Sequence, residues 1–293
     1  MLIFELLDGD WLGFSQVRQQ VLDFLLANEH KCVALVSHFQ KKDTKILYIL
    51  DERNVIWGVL SVSESGQILH CLESETVLGI VEAYFQKFRP QKIFSIIGEK
   101  KYTDAIAKIF QKLYGTVNKS ATEYSLMEYN ALLAEEAALA EKPDNKKRHF
   151  LNSCEIFDCK NSDFDEMLPI QKAYELEEVV IDRESFNEQN CRILLRRNIQ
   201  SGIVFGVRYN NRIIAKASIN AEGENCIQLG GIYTDISFRN KGIATYLVRT
   251  LSNRFKKNKK DVVLFVKNSN STAINVYTNC GYTPFGDYKI IYY

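Results

Sequence analysis

The sequence predicts an α/β protein with mixed sheets, arranged as two halves that repeat one order of elements. Three observations carry that expectation. The chain has 293 residues, long for one core and comfortable for two. Strand-like and helix-like stretches follow the same order on either side of a helix-forming, charged break at 131–149. Near the end, an apolar strand runs into Arg239-Asn240-Lys241-Gly242-Ile243-Ala244, and that loop opens an amphipathic helix.

In the first half, residues 17–26 have helical spacing, with Val17, Val21, Phe24 and Leu25 on one side. Residues 32–37, 45–50, 55–62 and 68–72 read as strands, with a turn at Glu52-Arg53-Asn54. Residues 75–88 are amphipathic, 92–97 a strand, and 103–113 a helix ending at Gly115. Residues 123–129 alternate polar and apolar as a last strand. The break begins as the strong helix former Ala131-Leu132-Leu133-Ala134 and passes through Pro143-Asp144-Asn145 into Lys146-Lys147-Arg148. The expected division is therefore 1–130, a linker at 131–150, and 151–293.

In the second half, residues 168–180 read as a helix and 203–209, 213–219 and 226–233 as a strand meander. Its turns fall at Asn210-Asn211 and at 221–225. Gly230-Gly231 inside a strand pattern signals either a bulge or close packing against a helix. The helix opened by Gly242 places Ile243, Leu247, Leu251 and Phe255 on one face. Lysines of 256–260 suit its C-terminal end. Residues 262–266 form an apolar run typical of a strand buried on both faces. Asn270 can cap a short helix that carries Tyr277 and stops at Gly281. A last strand, 282–293, is interrupted by Pro284 and Gly286.

The loop at 239–244 has the chemistry of a diphosphate seat. Free amides at a helix N-terminus meet the positive end of the helix dipole. Gly242 removes a side chain where phosphate must approach the backbone, Ala244 keeps the first turn small, and Arg239 and Lys241 can add charge-assisted contacts. The first half has Glu73, Ser74 and Glu75 after its corresponding strand, and acids there would repel such a ligand.

These residues, in this order, resemble the GNAT superfamily of acyl-CoA-dependent N-acetyltransferases. Its phosphate loop is matched by Arg239, Gly242 and Ala244, and its later motif by Asn270, Ala273, Tyr277, Gly281 and Tyr282. The resemblance covers about residues 152–293. It implies tandem GNAT-like domains, each a twisted, mostly antiparallel sheet flanked by helices, with the first a degenerate copy lacking the phosphate loop. It implies acetyl-CoA as co-substrate, held by Ile232, Tyr233, Thr234, Arg239, Asn240, Lys241, Gly242, Ile243, Ala244, Asn270, Ala273 and Tyr277. Ile232 N–H would polarise the acetyl carbonyl and Thr234 would pair with the pantetheine arm. Tyr277 matches the family's general acid, with a core aromatic as its competing role. Glu177 and Glu178 are the leading candidates for general base, with Glu222 and Glu224 as alternatives.

The implied function is direct acetyl transfer from acetyl-CoA to a primary amine. The acceptor is a small-molecule amine or a peptide or protein amine. Its pocket is expected around Glu177, the 221–225 hairpin and the first half. A binding module that senses CoA without turnover, and a transferase of another acyl group, are the alternative readings.

Composition excludes other classes. An apolar fraction of 46% and a charged fraction of 25% describe an ordinary globular chain. A net charge of +1 favours neither nucleic acid nor an anionic membrane as partner. Seven cysteines without metal-type spacing suggest free thiols in a reducing compartment, and four scattered histidines suggest no metal site. Residues 1–8 carry acids and no basic lead, unlike a secretory signal, and no stretch reaches ~18 unbroken apolar residues. The expectation is a cytoplasmic protein.

Overall fold

A computed structural model of the chain describes residues 3–7, 15–40, 45–140, 144–180 and 183–293. The reading of residues 1–8 as no secretory leader rests partly on Met1, Leu2 and Asp8, outside the described residues, as does Pro143 of the break.

The first half contains β1 (Ile3–Leu7), α1 (Ser15–Ala27), α2 (Glu29–Gln40), β2 (Lys45–Leu50), β3 (Ile56–Val62) and β4 (Gln67–Leu72). It continues with α3 (Leu78–Lys87), β5 (Ser95–Glu99), α4 (Lys100–Tyr114) and β6 (Ser120–Tyr129). Two helices, α5 (Ala131–Ala140) and α6 (Asn145–Asn152), make the connection. The second half contains β7 (Glu155–Asp158), α7 (Phe164–Tyr174), α8 (Glu188–Gln200), β8 (Val204–Tyr209), β9 (Arg212–Glu222) and β10 (Cys226–Thr234). It ends with α9 (Ile243–Lys257), β11 (Asp261–Lys267), α10 (Ser271–Asn279) and β12 (Tyr282–Tyr292).

The strands form one mixed sheet in the order β1-β2-β3-β4-β5-β12-β6-β11-β10-β9-β8-β7. Only β4–β5 and β10–β11 pair in parallel; the other ladders are antiparallel. The halves therefore do not keep separate sheets. Their last strands are exchanged. β12, from the end of the chain, pairs with β5, and β6, from the end of the first half, pairs with β11. The two exchanged strands also pair with each other, Tyr282 opposite Tyr129 through to Tyr292 opposite Ser120. The ladder slips at Pro284/Gly286, where proline cannot donate.

Residues 32–37, expected as a strand, lie inside α2, which packs on β3, β4, β9 and β10. A short apolar run buried on several sides has no periodicity to separate helix from strand. Helix α8 was not anticipated, although Asn187 caps it and Cys191, Leu195 and Ile199 bury one face. The helix expected at 168–180 is α7 from Phe164, followed by a π-type turn over Glu175–Val179. In α9, Ile243, Leu247, Leu251 and Phe255 are all buried, as their spacing predicts. They pack one core with Val207, Ile214 and Leu264, while α7 and α8 pack another with Val204, Ile213 and Tyr233.

The hairpin at 221–225 does not line the cavity expected of it. It docks on α2, where the buried Glu29 carboxylate accepts from Asn225 N at 2.9 Å, Cys226 N at 3.1 Å and Asn225 Nδ2 at 3.1 Å.

Candidate active site

Strands β10 and β11 run parallel only from Cys226 opposite Asp261 to Leu229 opposite Leu264. Beyond that they part, and β10 bulges against β9 between Gly230 and Tyr233. Gly231 takes φ +58, a left-handed conformation that glycine adopts without a Cβ penalty. A Cβ there would strike the Ser218 hydroxyl and stand 2.9 Å from Lys216 Nζ. Those two side chains hold the bulge. Lys216 Nζ donates to Gly231 O at 2.8 Å, and Ser218 Oγ donates to Gly230 O at 3.3 Å. Lys216 is fully buried, its ammonium 4.3 Å from the Tyr174 ring centroid, and burial pulls its pKa down to about 8.

After β10 the chain turns into α9 through two left-handed residues, Asn240 (φ +62) and Gly242 (φ +79). The first backbone bond of α9 runs from Tyr246 N to Gly242 O at 2.9 Å, so the amides before it have no intrahelical acceptor. No side chain caps that end. The carbon chain of Lys147, from α6, packs over Gly242 and brings an ammonium to the loop. Lys241 Nζ lies over the Phe150 and Phe238 rings instead, 5.2 and 4.8 Å from their centroids. Nothing in the sequence around Lys147 distinguishes it from its basic neighbours.

Arg239 does not stand free. Its Nη2 donates to both Glu177 oxygens at 2.9 and 2.8 Å, and its Nε to Thr234 O at 3.2 Å. Tyr233 donates its hydroxyl to Glu177 Oε2 at 3.1 Å. The Arg239 hydrogen bond holds the Glu177 carboxyl below the usual carboxylate range. Glu178 points elsewhere: its Oε2 accepts from Lys267 Nζ at 3.2 Å and its Oε1 faces Asn270 Nδ2 at 3.5 Å. Asn270 caps α10 by accepting from Ala273 N at 3.0 Å. Glu222 and Glu224 sit in the docked hairpin, where Glu222 Oε1 is 3.4 Å from Lys260 Nζ and Glu224 O accepts from the same amine.

A cleft of about 330 Å³ gathers Ile232, Tyr233, Thr234, Arg239, Asn240, Gly242, Ile243, Ala244, Asn270, Ala273 and Tyr277, with Glu177 and Glu178 at its edge. Of the residues expected to contact a cofactor, only Lys241 is outside this lining. A second cavity of about 640 Å³ lies between the halves. Glu178, Ile232, Asn270, Ala273 and Tyr277 line both hollows. Tyr277 is buried, and burial raises its phenol above the ordinary value, so it stays protonated at neutral pH.

The first half has a counterpart to the parting strands. β4 and β5 pair from Gln67 opposite Ser95 to Leu69 opposite Ile97. At the next step the His70 ring lies against Gly98, with Nε2 hydrogen-bonded to Thr103 Oγ1 at 2.8 Å. That imidazole is fully buried, and its pKa falls to about 3 through loss of solvation.

The model of the acetyltransferase (GNAT) family matches residues 165–282. The second half carries a GNAT acetyltransferase domain. No curated protein matches the sequence. Among solved structures, a Drosophila protein aligns over 99% of this chain and 98% of its own, at 12% identity and a TM-score of 0.64. A tandem GNAT protein from the clavulanic acid biosynthesis pathway gives 99% and 98%, 12% identity and 0.58. A GNAT-family acetyltransferase from Colwellia psychrerythraea gives 99% of both chains, 12% identity and 0.56. At that identity the likeness is one of fold, and it extends over both halves. The GNAT domain is that of an acyltransferase family, which generally draws the acyl group from acetyl-CoA. Among the described residues, no cluster of His, Cys, Asp or Glu could hold a metal, and no helix is long and apolar enough to cross a membrane.

Proposed function

We propose that this chain transfers the acetyl group of acetyl-CoA directly to a primary amine. The observation that carries the reading is the position of Tyr277, which borders both hollows beside the parted strands. The diphosphate would rest on the free amides of Gly242, Ile243 and Ala244, with Lys147 as an added cation. Ile232 N–H would meet the charge that develops on the thioester carbonyl oxygen. The amine nitrogen bonds to the carbonyl carbon, the carbon–sulfur bond breaks, and Tyr277 returns a proton to the departing thiolate. Glu178, which borders both hollows, is the better placed of the two acids to receive the amine proton through water. Glu178 holds one ion pair, to Lys267, whereas Glu177 accepts twice from Arg239 and once from Tyr233.

The first half is proposed to lack a cofactor site, with boundaries at 1–130, 131–150 and 151–293. His70 fills the gap between its parted strands, and acids follow β4 where the second half has its phosphate loop. Seven free, buried cysteines support a cytoplasmic setting.

The test is acetyl-CoA-dependent thiol release with a panel of polyamines, amino acids, aminoglycosides, arylalkylamines and peptides. The reading requires turnover with at least one of them, and a loss on Tyr277→Phe. Calorimetric binding of CoA with no turnover, and no change in Tyr277→Phe, would instead make the domain a CoA-binding module. No affinity for CoA would sink both.

A further inference from the structure

The cavity between the halves has a composition of its own. Six aromatic rings line it: Tyr174 from α7, Phe265 from β11, Tyr277 from α10, Tyr124 from β6, and Tyr288 and Tyr292 from β12. Phe265 and Tyr288 are stacked, centroids 4.3 Å apart and 27° between planes. Among the described residues its Asp, Glu, Lys or Arg side chains are Glu178 and Lys267, and these pair with each other at 3.2 Å. Two consequences follow from elementary recognition chemistry. A polycation would find no unpaired carboxylate among the described lining residues, whereas flat rings offer their faces and edges to another flat ring. A volume of about 640 Å³ fits a small molecule with room beyond the reacting atoms.

One polar group in the lining is left over. Gln228 is 5% exposed, and its Oε1 has no hydrogen-bond partner among the described residues. It lies two residues before Gly230 on β10, ~7 Å along the strand from the bulge. A buried acceptor without a donor is costly, and a donor on a bound ligand would satisfy it.

The exchanged strands build the floor. Ser120, Thr122 and Tyr124 of β6, and Tyr288, Ile290 and Tyr292 of β12, are alternate residues presented on one face. These strands come from the two halves and lie side by side only because the ends are swapped. We infer that this cavity takes a planar aromatic group bearing a hydrogen-bond donor, carried into the site on one of the two reactants and seated on the floor that the exchanged strands form. The inference rests on the acyl-transfer reading for the reaction but not for the binding. The aromatic group belongs either to the acceptor amine or to the acyl chain, since the cavity adjoins the reacting centre that both must reach.

The experiment uses the full-length chain in two arms. One compares tyramine, phenethylamine and n-butylamine as acceptors with acetyl-CoA. The other compares 4-hydroxybenzoyl-CoA, benzoyl-CoA and acetyl-CoA as donors, with the best small amine or amino acid. The expected result is at least a tenfold gain in kcat/KM for the aromatic reactant in one arm, which names its source. A further several-fold gain for the hydroxylated ring is expected, and Gln228→Leu removes it. Thr122→Trp, which fills the floor from β6, abolishes the aromatic preference. Its melting temperature is measured alongside, and Tyr292→Leu replaces it if it fails to fold. Equal kcat/KM across both arms, or a preference that the cavity variants leave untouched, overturns the inference while transfer itself stands. If no pairing here or in the wider amine panel releases thiol, the transfer reading fails. Calorimetry with tyramine and 4-hydroxybenzamide then decides the inference: binding lost in Thr122→Trp upholds it, and no binding overturns it.

Discussion

The ammonium of Lys216 donates to the carbonyl of Gly231 at 2.8 Å from a fully buried position on β9. A buried lysine under a bulge is an expensive way to hold one carbonyl, and its cost depends on pH. The folded protein lowers its pKa from 10.5 to about 8, chiefly by desolvation. Below pH 8 both states carry the proton, and the full burial penalty applies. Between pH 8 and 10.5 the unfolded chain keeps the proton while the folded one releases it, so the lysine's contribution to stability rises with pH.

The first prediction is therefore a difference. Urea unfolding of wild type and Lys216→Met from pH 7 to 10.5 should show wild type gaining on the variant, by on the order of 3 kcal/mol across the window. Cysteine and tyrosine titrations cancel in that comparison. Parallel profiles would show that the ammonium is not desolvated. The same variant should lower kcat more than it raises KM for acetyl-CoA, because in the proposed reaction the bulge aims Ile232 N–H rather than gripping phosphate.

Tyr277→Phe keeps the ring and removes the proton. CoA binding measured by calorimetry should be unchanged, while kcat falls by about 10²–10⁴. Burial raises the phenol above its usual 10.0, so wild-type kcat should show no alkaline fall up to about pH 10. An alkaline limb near pH 8 that vanishes in the variant would contradict the raised value.

Much of this site can be read along the chain because a left-handed turn and a helix cap need particular residues. Gly242 must turn left-handed, Asn270 must cap, and both requirements leave marks at fixed spacing. The exchange of strands leaves no such mark. β6 and β12 are ordinary strands, and either could have paired within its own half; the choice is made by long-range contacts. Lys147 was invisible for a related reason. It belongs to a run of basic residues in the connection, and only the packing of α6 brings it over Gly242. The apolar stretch around Val33 and Val36 reads equally as strand or helix until α2 is seen enclosed by both halves.

The two left-handed glycines at the site, Gly231 and Gly242, predict an order of damage. Alanine at either position costs about 1–2 kcal/mol of backbone strain. At Gly231 the new methyl also meets Ser218 Oγ and Lys216 Nζ, both fixed by hydrogen bonds. At Gly242 it meets the Lys147 side chain, which can swing aside. Chemical denaturation should rank Gly231→Ala as the more destabilising. Gly242→Ala should instead weaken CoA binding at least tenfold by calorimetry. The reverse ranking would mean that the bulge is looser than its hydrogen bonds imply.

Glu29 joins the halves at the far end of β9 and β10. Its carboxylate is 2% exposed and accepts from two backbone amides and the Asn225 side chain. Glu29→Ala strands the buried Cys226 amide and frees the exposed Asn225 donors to water, at a cost of about 1–3 kcal/mol. Glu29→Gln keeps one acceptor oxygen and should lose about half as much. Because α2 also supplies Ala34 and His38 to the cavity between the halves, loosening this seam should raise KM for the acceptor before it alters affinity for CoA. Urea titration and steady-state kinetics on the two variants separate the effects. A Glu29→Ala protein as stable as wild type would show that the hairpin is held by Lys260 and by apolar packing of Val33, Ala221, Cys226 and Val263.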